Sequence, residues 1–95
     1  MGLELLSLSL WVAVVLMGGE VLDAVSRAPV AGASITVVGT TAPAVLTDSA
    51  GRFRLEVAEG SRLRITRAGY APLDLTARGD TGMRLLLTPL TRALE

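Results

Sequence analysis

Two segments of this chain alternate apolar and polar residues with a period of two: Arg52-Phe53-Arg54-Leu55-Glu56-Val57 and Arg62-Leu63-Arg64-Ile65-Thr66. A β-strand turns successive side chains to opposite faces, so this pattern gives each segment one apolar and one charged face. From Gly19 onward the apolar period stays close to two and no stretch sustains a helical repeat. Short runs are separated by turn residues at intervals of roughly ten, the sequence mark of an all-β sandwich or barrel. Strands are expected over residues 20–25, 33–38, 44–47, 52–57, 62–66, 71–76 and 83–88. Pro29 stops a central ladder after the first, and Pro72 places the sixth at a sheet edge or opens it. Asp48-Ser49-Ala50-Gly51 is a turn: the carboxylate can accept N–H groups two residues on, and Gly51 can take a positive φ.

Parity constrains the connection around Gly60. A one-residue slip would turn every side chain to the wrong face. If the flanking strands are direct neighbours, a three-residue loop Ala58-Glu59-Gly60, with Gly60 left-handed, sets Leu55 opposite Leu63 and Phe53 opposite Ile65. Glu56 then meets Arg62, and Arg54 faces Arg64. The alternative is that the two strands belong to opposite sheets of a sandwich. Phe53, the one phenylalanine, is expected to anchor the core either way.

Composition narrows the chemistry. The 95 residues suffice for one domain, and they include no cysteine and no histidine. That removes disulfides, thiolate nucleophiles, Ser/His and Cys/His dyads and His- or Cys-ligated zinc. Nine arginines balance nine carboxylates, whereas a nucleic-acid binder carries a basic excess, so no nucleic-acid partner is expected. Hydrophobic residues make up 51% of the chain, which is a folding composition rather than a disordered one.

Residues 5–17, LLSLSLWVAVVLM, carry no charge. The run is too short for a membrane-spanning helix, which needs ~20 residues, and falls in the range of a signal-peptide core. Its flanks fit less well, with Glu4 where a base belongs and Leu16 or Met17 at minus three from a cleavage after Gly18 or Gly19. Three readings stand: an export signal or uncleaved anchor over residues 1–18, an extra strand or helix packed on the domain, or a remnant of upstream protein. Leu6-Ser7-Leu8-Ser9-Leu10 alternates as a half-buried strand does, and Trp11 reads as apolar filler.

Four pieces occur in order: Gly19-Glu20-Val21-Leu22-Asp23; Pro29-Val30-Ala31-Gly32-Ala33-Ser34-Ile35; Thr47-Asp48-Ser49-Ala50-Gly51-Arg52-Phe53; and Gly69-Tyr70. They resemble the carboxypeptidase regulatory-like domain, whose pattern runs G-x-V-x-D, P-x-x-G-A-x-V, T-D-x-x-G-x-F and G-Y, with Ile35 here in place of Val. The resemblance covers Gly19 to about Leu90. It implies a transthyretin-like (Ig-like) antiparallel β-sandwich of about seven strands, preceded by the apolar segment 1–18 and followed by a tail or linker, 91–95. It also implies that the marked residues are structural, with Tyr70 packed flat and its hydroxyl bonded to backbone or water.

The resemblance further implies a non-enzymatic accessory module of an exported, periplasmic or outer-membrane bacterial protein, as at the N-terminus of TonB-dependent outer-membrane receptors. Such a module meets a protein partner or a covalently linked parent domain, and touches a membrane only through its N-terminal segment or that parent. No catalytic residue, cofactor or metal site is expected. The transthyretin-like enzymes that hydrolyse hydroxyisourate depend on histidines, which are absent. Asp48 stands alone where calcium wants several oxygen ligands. Asp23, Asp74 and Asp80 are scattered. Asp80-Thr81-Gly82 matches the tripeptide of aspartic proteases, whose chemistry needs two such aspartates; a surface turn is expected there. Arg52, Arg54, Arg62 and Arg64 form either an anion or partner patch or, as favoured here, a solvated face interleaved with Glu56 and Glu59. The alternative function is a small-ligand module for carbohydrate, disfavoured because Trp11, Phe53 and Tyr70 are the only aromatics.

Overall fold

A computed structural model describes residues 13–90; Leu6–Leu10, Trp11 and the expected tail 91–95 lie outside the described residues. Seven strands make two sheets packed face to face. They are β1 (Val14–Asp23), β2 (Ser34–Val37), β3 (Val45–Leu46), β4 (Arg52–Ala58), β5 (Arg62–Thr66), β6 (Leu73–Thr76) and β7 (Asp80–Leu87). The order is β4-β1-β7 in one sheet and β3-β2-β5-β6 in the other. The all-β sandwich of seven strands is therefore observed. One pairing departs from the antiparallel rule: β1 and β7 run parallel.

The alternation explains what fills the interior. On β4, Phe53 and Val57 are buried and Leu55 is half-buried, while Arg52, Arg54 and Glu56 are exposed. On β5, Leu63 and Ile65 are buried between exposed arginines. Met17 and Val21 from β1, Ile35 from β2 and Met83, Leu85 and Leu87 from β7 complete the core. Phe53 is part of it at 7% exposure, but the largest side chains that are fully sealed are Met17, Ile35, Leu63, Ile65, Leu87 and Val21. The interior is a layer of aliphatic contacts across two sheets, with Phe53 as one contributor.

One open alternative is decided and two expectations are corrected. First, β4 and β5 lie in opposite sheets and are not a hairpin. The ladder of β4 is taken by β1, which sets Leu55 opposite Met17 and Phe53 opposite Gly19. The strands β2 and β6 flank β5, with Ile65 opposite Ile35 and Leu73. The loop crosses between sheets instead: Glu59 N–H donates to the Ala13 carbonyl and Gly60 N–H to that of Ala77. Parity is satisfied equally by residues facing across a core, so it did not distinguish the two arrangements. Arg54 accordingly lies opposite Gly18 and Glu56 opposite Leu16.

Second, β1 begins at Val14 rather than near Gly19. The segment Val14–Gly18 pairs with Arg54–Ala58, and Met17 is 1% exposed. The β-branched Val14-Val15 joins the sheet because β4 offers it a ladder. Third, Asp80-Thr81-Gly82 opens β7 instead of forming a separate surface turn. The register slips by one residue between Met17–Asp80 and Gly19–Met83, leaving an extra residue on β7. Asp80 Oδ1 steadies this bulge by accepting the Gly82 N–H at 2.9 Å.

Candidate interaction surface

The polar residues singled out from sequence take structural positions. Asp48 Oδ1 accepts N–H bonds from Ala50 and Arg52 at 2.9 and 2.8 Å, closing the turn before β4 as expected. The Tyr70 hydroxyl donates to Asp23 Oδ2 at 2.8 Å, so its partner is a carboxylate rather than backbone or water. The other oxygen of Asp23 accepts the N–H groups of Val25 and Ser26. These bonds, that of Ser26 first, favour the ionised carboxylate and lower its pKa. The same carboxylate raises the Tyr70 pKa by accepting from its hydroxyl. Thr47, marked in sequence only as part of the third motif, is the buried polar residue among the described ones. Its hydroxyl donates to the Val30 carbonyl at 2.7 Å and accepts from Ala33 N–H at 2.9 Å, tying the approach to β2 to the end of β3. Among the described residues no group of three or more carboxylates is placed to hold a metal ion.

The four outward arginines do not form one patch. Arg52 and Arg54 lie on the outer face of the three-stranded sheet, while Arg62 and Arg64 lie on the opposite side of the sandwich. Arg64 Nε reaches Asp74 Oδ1 across the β5–β6 ladder at 2.8 Å, with a second bond from its Nη2 at 3.2 Å. That pairing lowers the Asp74 pKa and raises that of Arg64.

Backbone is available as well, at a sheet edge among the described residues. Strands β6 and β7 are the outermost strands of their sheets on one side of the sandwich. Leu87 O accepts from Ala24 N–H next to β1. Strand alternation therefore turns the Arg84 and Leu86 peptide groups away from β1, to the outer edge. Beside this edge runs an apolar groove of about 440 Å³ between the sheets, lined by Leu73, Leu75, Met83 and Leu85 with Arg78 and Arg84 at its rim. Pro72, just before β6, agrees with the edge position expected for that strand.

A family model for the carboxypeptidase regulatory-like domain matches residues 17–88, from within β1 to the residue after β7. The chain belongs to this family. Solved structures share the fold of this regulatory-like domain. One is a chain of a type II Cohesin-X-Dockerin complex from Acetivibrio cellulolyticus, 26% identical, covering 77% of this chain and 56% of its own, with a TM-score of 0.55. A DUF3823 family protein from Parabacteroides merdae is 20% identical over 83% of this chain and 48% of its own, with a TM-score of 0.54. A candidate carbohydrate binding protein from Bacteroides uniformis is 15% identical over 79% of this chain and 41% of its own, with a TM-score of 0.52. The domain thus spans less than two thirds of each of these chains. A comparison with curated proteins finds no match.

Proposed function

We propose that this regulatory-like domain is a non-enzymatic accessory module that acts by protein contact, made through the outer edge of β7 to a partner or a linked parent domain. The observation that carries this reading is the pair of outward peptide groups at Arg84 and Leu86 of β7 beside an apolar groove, short of Thr88, whose carbonyl accepts from Ala71 N–H. An unpaired edge of this kind is a template for an added strand, whose alternate side chains would enter the groove. Its origin in a Cohesin-X-Dockerin complex makes the Acetivibrio chain a supporting precedent. The chemistry of the described residues is consistent with the same reading, since each side chain with a shifted pKa serves a turn or a ladder.

The setting proposed is export, to the periplasm or the outer membrane. The support is the family resemblance and the uncharged apolar run that enters β1. Fractionation of the host with a tagged chain tests it, and recovery in the cytosol alone would reject it.

Leu86→Pro removes an outward N–H, and edge positions tolerate proline. With the domain as bait in host extract, Leu86→Pro is expected to lose the strand-adding partner while its thermal transition stays close to that of the parent chain. Unchanged capture would reject edge pairing. A carbohydrate role has little support here, because Phe53 is buried and Tyr70 is committed to Asp23. A glycan array is expected to give no binding.

A further inference from the structure

A second surface lies on the outer face of the three-stranded sheet and shares Arg84 with the rim of the β7 groove. Register sets its side chains in rows. Glu20 of β1 is flanked by Arg52 of β4 and Arg84 of β7, and in the adjoining row Arg54 lies beside Gly18. Gly18 contributes no side chain, and the bulge at Thr81–Gly82 interrupts the ladder next to it. A cleft of about 860 Å³ over Gly18 and Gly19 is walled by Arg52, Arg54, Arg84 and Thr81 and reaches Val45 and Leu46 of β3 at its far side. Its two carboxylates are Glu20 and Asp48, and Asp48 is occupied by its own turn. Arg64–Asp74, on the opposite sheet, is the only ion pair among the described residues. Three guanidinium groups therefore surround one cleft without an ion pair, against a single uncommitted carboxylate.

We propose that this cleft binds an extended acidic segment of a partner protein, with carboxylates at alternate positions. Arg52 and Arg54 project from the same face of β4 two residues apart, about 6.8 Å, which is also the repeat of alternate side chains in an extended peptide. Arg84 stands two strands away, about 9.6 Å from β4, so the three cations span more than one compact oxyanion. Guanidinium forks match carboxylates in two-bond geometry. Glu20 repels an anion from the midline between Arg52 and Arg84, so the carboxylates of the segment are set along β4, beside Arg52 and Arg54, rather than over Glu20. Because the arginines are exposed, binding is modest and weakens as salt rises.

The test is an amide-shift titration of the 95-residue chain with a synthetic hexapeptide of alternating Glu and Ser, its Gln-for-Glu counterpart, and inorganic phosphate, at low ionic strength. The Glu peptide is expected to shift Gly18, Gly19 and Gly82 saturably, and the Gln peptide to leave them unmoved. The double substitution Arg54→Gln and Arg84→Gln is expected to weaken the Glu peptide by about tenfold or more. Arg62→Gln, on the other sheet, is expected to change nothing. The proposal is overturned by an absence of saturable shifts, by equal shifts with the Gln peptide, by equal weakening with Arg62→Gln, or by phosphate binding as tightly as the Glu peptide. The comparison of Glu and Gln peptides on the parent chain stands even if a variant fails to fold.

Discussion

At Gly19 a single missing carbon sets the path of β1. A Cβ built there falls on the backbone of Met83, at φ +156°, so the parallel pairing of β1 with β7 needs glycine at this point. Gly51 is required for a related reason: its φ is +74°, and a Cβ would stand 2.7 Å from the Val21 carbonyl oxygen. We expect Gly19→Ala to cost about 3 kcal/mol or more and Gly51→Ala about 2–3 kcal/mol in denaturant unfolding. Gly39→Ala meets open space and should cost only about 1 kcal/mol for its left-handed φ. Thr47→Val keeps the shape but leaves Ala33 N–H and the Val30 carbonyl without their hydroxyl partner, at a cost of about 2–3 kcal/mol. Acid sensitivity belongs to this scale too. Asp23 and Asp74 have folded-state pKa values below 3.8. The unfolded chain therefore takes up protons first, and the stability these carboxylates add is present above that value and lost as pH falls through the lowered ones. Unfolding curves at stepped pH should show Asp23→Asn losing less stability on acidification than the parent chain. Equal losses would remove Asp23 from the account. The Asp48 turn was legible in sequence because its partners lie two and four residues away. The Tyr70–Asp23 bond, which closes over 47 residues, was not; no local pattern announces a contact that only the folded chain creates.

At the scale of elements, period-two alternation located β4 and β5 closely, and it named their inward residues correctly. It left their pairing open, because Leu55 and Leu63 can point at a shared core from one sheet or from two. The deciding fact is non-local: β1, ten residues long, lies against β4 and excludes β5 from that ladder. The start of β1 was obscured for another reason. The uncharged run 5–17 satisfies the composition of an export signal and that of a buried strand, and β4 supplies the partner that makes Val14–Gly18 a strand. Double-mutant cycles separate the two pairings. Met17→Ala and Leu55→Ala should couple by about 0.5 kcal/mol or more, whereas Arg54→Ala and Arg64→Ala, on opposite faces, should be additive within about 0.3–0.5 kcal/mol. Coupling between the arginines would restore the hairpin.

For the whole molecule, the two sheets share one apolar layer. Ile65→Ala, at its centre, should cost about 2–5 kcal/mol, a large share of what a domain of this size has available. The same architecture explains why the interaction surfaces were hard to read. The β7 edge is defined by which strands do not pair with it, and the arginine cleft by a register joining residues 18, 20, 52, 54 and 84. Neither is a motif. Contact through an open β7 edge is the claim on which the functional account rests, and amide hydrogen exchange in the free domain tests it most directly. The account predicts fast exchange at Arg84 and Leu86 and slow exchange at Leu85 and Leu87, whose N–H groups face β1. Uniform slow exchange along β7 would show that edge already covered and would contradict the account.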